Sequence, residues 1–275
     1  MRSIYSLLKY TLLILWGLTT LFPIYWVMIN SFKPTSVILL NPLSFPKNFH
    51  IENYLQLSNY GNINFLNGFK NSAIISFSTT LLVLFLGSLA SYALARFNFK
   101  RANLINSFLV GAQLVPAFSI VIPALIVFKN IHLSGSYLSL ILLQTACFLP
   151  FSILTITSFM KSIPVELEEA AYIDGASVLQ TFLKIILPTS IPALVTAGIF
   201  VFLWSYNDLF MSLILLPLRE KQPICVLLSL VSSAYGTNYG AMMSALFVTI
   251  IPVVVIYIFL QEYIVRGLMS GAGIR

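Results

Sequence analysis

Apolar residues in this chain do not alternate with polar ones and do not trace a narrow helical stripe. They come in runs of about 20 residues, the length of helix that crosses a bilayer core. Six such runs cover residues 10–29, 72–94, 104–128, 137–160, 191–215 and 241–264, and each is expected to be one helical span. The first follows Met1-Arg2-Ser3 and Lys9 as a signal peptide would. Its apolar stretch is too long for a signal core and no small-residue cleavage site follows, so it reads as an uncleaved span. Pro116 and Pro123 predict a kink in the third span. The apolar piece 224–231 is too short to cross and predicts a partly buried helix in an outer loop.

The polar segments between the runs set the expected topology. Six spans place both termini on one side. If that side is cytoplasmic, nine basic residues lie inside and six outside, accounting for all 15 Lys and Arg. The cluster Arg96, Lys100 and Arg101 in a short loop carries most of that bias, which favours termini inside the cell membrane. The segment 30–71 then becomes a long outer loop, rich in Asn and Pro and without helical periodicity, and 161–190 becomes the one long inner loop.

Composition narrows the function classes. The chain has 275 residues, 59% apolar and only 8% charged, with a mean hydropathy of +0.94. It lacks the ions needed to solvate a globular surface, which excludes a water-soluble enzyme. Two histidines (His50, His132) and two cysteines (Cys147, Cys225), all far apart, offer no metal-ligand cluster. The cysteines read as buried small hydrophobes. No phosphate-binding glycine loop is present. The net charge of +7 is scattered, so it carries topological meaning and does not point to nucleic acid.

The inner loop is the segment richest in signals. Pro164 suits a first helical turn, and Glu166, Glu168 and Glu169 suit the positive end of that helix. Ala170 and Ala171 favour helix, while Asp174-Gly175 ends it, with Gly175 free to adopt the left-handed cap. Ser177 can cap a second helix that carries Val178, Phe182 and Ile185 on one stripe and stops before Pro188. This helix–turn–helix either lies in the headgroup layer or docks into another protein. Three of the eight acidic residues fall in its first turn, and anionic lipid would repel them, which favours docking.

The stretch Glu169-Ala170-Ala171-x-x-Asp174-Gly175-Ala176, followed by Phe182 and Leu187-Pro188, resembles the EAA loop of ABC importer permeases. Asn71-Ser72, the run 91–97 that closes the second span, Asn207-Asp208, and the segment from Gln261 to Gly271 resemble the carbohydrate-uptake branch, of MalG-like type. Two features depart from it. Ser205 and Tyr206 separate Trp204 from the Asn-Asp pair, and the tail reads Gly271-Ala-Gly-Ile-Arg275.

The resemblance implies an all-α type I permease fold with six transmembrane helices and a cytoplasmic coupling loop. It divides the chain into an N-terminal helix and outer loop (1–66), a transmembrane core (67–264) that contains the coupling loop 161–190, and a cytoplasmic tail (265–275). It assigns ATPase coupling to Glu169, Ala170, Ala171, Asp174, Gly175 and Phe182. It implies a second homologous permease, two ATP-binding subunits and an extracytoplasmic solute-binding protein. No cofactor is expected on this chain, and ATP is used by its partners. Import of a sugar or oligosaccharide is the implied function, and this chain is expected to be a pore subunit in contact with membrane lipid, not an enzyme.

The substrate path is expected to be polar, because intramembrane polar groups face a cavity or a partner. On a continuous fifth helix, Trp204, Asn207, Asp208 and Met211 fall on one face. Rings and amides there suit a sugar; equally, Asn207 and Asp208 could tie helices or subunits together. Gln113 and Gln144 are further pore candidates. A permease for another solute shares the same inner loop. An ion-coupled transporter would need internal repeats and midplane ionisable groups, and a membrane enzyme would need a catalytic constellation; neither pattern is evident.

Overall fold

The structure is a computed structural model that describes residues 2–58, 64–98, 100–234 and 238–271. The expected tail beyond 271, with Arg275, lies outside the described residues, as do the side chains of 262–271. All regular structure among the described residues is helical. Among the described residues, four helices are long and apolar enough to cross a membrane: Tyr5–Ser31, Phe65–Arg96, Tyr137–Ser162 and Tyr239–Phe259. Two bent pairs bring the number to six if each pair counts as one span. The chain divides into two compact units.

The first unit joins residues 1–66 to 227–252. Helix α1 (Arg2–Ser31) leaves most of its apolar side chains uncovered, as a lipid-facing span does. The segment after it, expected as an outer loop, is more ordered than its lack of periodicity predicts: it contains α2 (Thr35–Leu40), α3 (Glu52–Leu55) and a 3-10 turn at Gln56–Ser58. Buried polar contacts, not an amphipathic stripe, hold it. Asn53 donates its amide to the carbonyls of Ser31 and Lys33, each at 2.9 Å. Lys33 is only 1% exposed; its ammonium bonds Asn30 Oδ1 at 3.1 Å and the carbonyls of Asn41 and Pro42 at 3.3 and 3.4 Å.

The second unit joins residues 67–226 to 253–275. Its first helix, α4 (Phe65–Arg96), starts seven residues before the expected second span. At 32 residues it reaches about 48 Å. The predicted third span is two helices, α5 (Ala102–Gln113) and α6 (Ala117–Asn130), meeting at 99°. This is a sharper break than a kink. Pro116 has no N–H to donate and drives the residue before it out of helical geometry. Pro123, expected to interrupt the same span, stays inside α6. Helix α7 (Tyr137–Ser162) is capped by Ser136 and crosses the middle of the unit, with Leu140, Gln144, Ser152, Ile156 and Met160 fully covered.

After α7 come α8 (Glu166–Ile173) and α9 (Val178–Thr181). A wide π turn at Phe182–Ile186 then leads into α10 (Leu187–Thr189). The second arm therefore does not stop before Pro188 as expected. The widened turn moves the carbonyl four residues back away from the proline ring, and the helix continues. The chain then bends by 71° into α11 (Ile191–Tyr206). The predicted fifth span, 191–215, is also not continuous: α11 ends at Tyr206, and α12 (Phe210–Leu215) starts after a three-residue break. Helix α13 (Ile224–Ala234) is the short helix the sequence predicts over 224–231, and α14 (Tyr239–Gly271) contains the last of the candidate spans.

Candidate functional site

The hairpin of α8 and α9 is built as its residue types require. Glu166, Glu168 and Glu169 occupy the first turn of α8, where unpaired N–H groups favour negative charge. Asp174 is the C-cap, and Gly175 follows at φ 84°. The N–H of Gly175 bonds Tyr172 O at 3.0 Å and that of Ala176 bonds Ala171 O at 2.9 Å, which closes the helix in a left-handed cap. Ser177 and Gln180 then form a reciprocal capping box at 3.3 and 2.8 Å. The turn between the arms is thus held by its own hydrogen bonds.

Not all of the expected docking residues face outward. Glu169, Ala170, Asp174 and Gly175 are exposed, beside Ile173 and Leu179. Ala171 and Phe182 are buried, the latter packed with Tyr92, Ile156 and Met160. The single stripe of Val178, Phe182 and Ile185 is corrected: Phe182 is buried and Ile185 half-buried, whereas Val178, in the first turn of α9 beside the tip, is exposed.

Three residues that the sequence reading did not connect with one another fasten this hairpin. Arg96, in the last turn of α4, pairs with Glu168, and both side chains are under 10% exposed. Tyr92 donates its hydroxyl to the other Glu168 oxygen at 2.9 Å, and Arg96 also donates to Ile163 O at 3.0 Å. The Tyr92 ring lies 4.9 Å from that of Phe182. The only sequence signal was that Tyr92 and Arg96 fall inside the motif at 91–97. Their partners lie more than 70 positions away.

The second group surrounds the break after α11. Its expected one-face arrangement is corrected, because the helix ends before Asn207. Asn207 is the C-cap, exposed, with its amide returned to Leu203 O at 2.9 Å. Asp208 caps the next helix: its carboxylate accepts from the N–H of Met211 at 3.2 Å, the N–H of Ser212 at 2.9 Å and the Ser212 hydroxyl at 2.8 Å. Gln144 donates to the same carboxylate at 3.2 Å. The Gln144 carbonyl accepts hydroxyls from Ser205 at 2.6 Å and Thr79 at 3.1 Å. Gln144 itself is wholly buried and Met211 is 3% exposed.

Around this network are two hollows. One, of about 640 Å³, is lined by Phe108, Gln113, Cys147, Phe148, Phe151 and Trp204 among others. Trp204 packs against Phe148, Phe151 and Phe200 at centroid distances of 5.5, 4.8 and 5.8 Å. The other, of about 500 Å³, is lined by Ala117, Phe118, Asp208, Phe210 and Met211. Trp204 and Gln113 therefore share one hollow and Asp208 and Met211 the other, while the buried Gln144 meets the second through its bond to Asp208. The cysteines are not fully buried. Cys147 faces the larger hollow and Cys225 donates to Asn207 O at 3.4 Å. Among the described residues, no three His, Cys, Asp or Glu side chains are grouped to hold a metal ion.

Comparison with known proteins places this architecture. Residues 83–270 match the family described as binding-protein-dependent transport system inner membrane component. The diacetylchitobiose uptake system permease protein NgcG of Streptomyces coelicolor is 32% identical, over 97% of this chain and 88% of its own length. The trehalose/maltose transport system permease protein MalG of Thermococcus litoralis is 33% identical, over 94% and 93%. The trehalose transport system permease protein SugB of Mycobacterium tuberculosis is 34% identical, over 92% of each chain. Among solved structures, a chain of a bacterial ABC transporter involved in import of the acidic polysaccharide alginate superposes with a TM-score of 0.80 at 21% identity. That match covers 96% of this chain and 98% of the other. With the family match spanning most of the chain and the fold matching along nearly all of it, the protein belongs to the binding-protein-dependent transport system inner membrane components and has the type I ABC importer permease fold.

Proposed function

We propose that this chain is one of two permease subunits of an ATP-driven, binding-protein-dependent importer for a sugar or oligosaccharide, and that it couples to an ATPase through the hairpin 161–190. The observation that carries the coupling role is the form of the hairpin. Its tip is closed by a left-handed glycine cap and a capping box, and it presents Glu169, Ala170, Ile173 and Asp174 outward. A stiff, partly acidic knob of this kind suits a groove on another protein better than an anionic headgroup layer. Ala171 and Phe182 support the knob from behind.

The sugar assignment rests on the substrates named for the 32–34% identical relatives and on the ring-lined hollow. Aromatic faces stack on the C–H faces of a pyranose, and amides bond its hydroxyls. Trp204 and Gln113, which line the larger hollow, and the exposed Asn207 are the proposed substrate contacts. Asp208, Met211 and Gln144 act behind them by shaping the break. The positive-inside bias supports a cytoplasmic position for both termini and the hairpin. The remaining machinery comprises a second permease, two ATP-binding subunits that hydrolyse the ATP, and an extracytoplasmic solute-binding protein. The segments 1–66, 67–264 and 265–275 serve as anchor with outer loop, transport core and tail.

Purification through a tag on the chain in its native host, with mass spectrometry of what accompanies it, tests the assembly. An ATPase, a second EAA-type permease and a binding protein are expected together. A chain that emerges alone after cross-linking overturns the reading. Ligand released from the copurified binding protein tests the solute, and a peptide or amino acid there overturns the sugar assignment.

A further inference from the structure

We infer that Tyr92, Arg96 and Glu168 form a latch that makes the hairpin and the second span one rigid lever, so that these residues position the coupling surface without touching the ATPase. The inference rests on the coupling role proposed above for the hairpin.

Four observations converge on it. Glu168 is the one first-turn acid of α8 that is buried, whereas Glu166 and Glu169 on the same turn are exposed. Both of its oxygens are used, one by Arg96 and one by the Tyr92 hydroxyl. Arg96 holds Ile163 O as well, so it grips the linker before α8 and α8 itself. The Tyr92 ring packs against Phe182, which belongs to the second arm. Both arms of the hairpin are thereby fastened to the last two turns of α4.

The chemistry suits a joint that must not slip. Arg96 lies at the negative end of α4 and Glu168 at the positive end of α8, so each helix favours the charge it carries. Removing one member of a buried pair strands the other charge, whereas replacing both by apolar groups of similar volume costs little. A force applied at the exposed tip passes through this joint into α4. The same cluster contains Ile156 and Met160, so it also reaches α7.

Hydrogen exchange on the complex purified from its host tests the latch. Exchange is followed in 166–173 and 65–96, with and without ATP, magnesium and vanadate. In the wild type, the nucleotide is expected to change exchange in both segments. In Glu168→Gln, the ATPase is expected to copurify and its nucleotide to alter exchange in 166–173, but the response in 65–96 should fall at least fivefold. Tyr92→Phe, which keeps the ring contact, should give a smaller loss, and it supplies the reading if Glu168→Gln does not assemble. The double variant Arg96→Met, Glu168→Leu should restore the response in 65–96. An undiminished response in Glu168→Gln overturns the latch, as does a full response in Tyr92→Phe where Glu168→Gln does not assemble. So does a double variant as defective as the single. A wild-type chain without a copurifying ATPase overturns the coupling role instead.

Discussion

Gln144 donates its side-chain amide to the Asp208 carboxylate at 3.2 Å, from the middle of one span to the break in another. The same amide group takes hydroxyls from Ser205 and Thr79, so one residue joins α4, α7 and the α11–α12 break. The pair should therefore behave as a unit. Gln144→Leu leaves buried partners unbonded, and Asp208→Asn places an amide donor among donors. Each is expected to lower stability by about 1–3 kcal/mol. The double variant should lose less than the sum of the two. Thermal unfolding of the purified protein in detergent measures all three; strict additivity would contradict a shared network.

Gly240 is required by close approach and not by its dihedral angles. A Cβ at that position would lie 2.8 Å from Asn53 Oδ1 and 2.8 Å from Lys33 O. The second atom belongs to backbone that Asn53 itself holds. Gly240→Ala is expected to cost about 1–3 kcal/mol through overpacking. Limited proteolysis within 30–58 should quicken in parallel, and unchanged cleavage would show that the outer segment can yield there.

Gly175 presents the opposite case. Nothing lies within 4 Å of a Cβ at that position, but its φ is 84°. Gly175→Ala should cost about 1–2 kcal/mol from the left-handed backbone alone. Gly175→Asn should cost less, since Asn tolerates that region better. Equal losses in the two variants, compared by unfolding midpoint, would point to a steric cause. Gly175→Pro should abolish copurification of the ATPase while membrane insertion persists.

Lys33 gives the outer segment a pH dependence. Burial lowers the pKa of its ammonium from the ordinary 10.5. A folded-state value below the unfolded one means that the unfolded chain binds more protons between the two. Stability contributed by this group therefore rises as pH climbs from the depressed value towards 10.5. Lys33→Met keeps the buried stem and removes the titration, so it should abolish that rise. Unfolding midpoints recorded between about pH 8 and pH 10.5 in both proteins supply the comparison.

The sequence showed where helices cross but not how they break. Runs of about 20 apolar residues report thickness, and length alone located Tyr137–Ser162 to within two residues. Pro116 announced a bend whose 99° angle only packing decides. The break after Tyr206 carried no proline or glycine. It is made by Asp208 capping the next helix, a choice that depends on Gln144 lying opposite, 64 positions earlier. In the hairpin, the capping residues were legible because Gly175, Ser177 and their neighbours act within one turn. Which of three adjacent glutamates turns inward was not legible, since Arg96 and Tyr92 make that selection from a distant helix.

The π turn at Phe182–Ile186 has a consequence for how this loop tolerates change in length. A turn closed from i to i+5 carries roughly one residue more than an ordinary helical turn. Deleting a residue from it would return the arm to regular α geometry and set the Pro188 ring against the carbonyl four residues back, so the helix would kink or end there. The extra residue is what carries this arm past a proline, and a shorter arm would have to lose Pro188 with it. A deletion from α8 meets no such proline and would rotate every following side chain by about 100°.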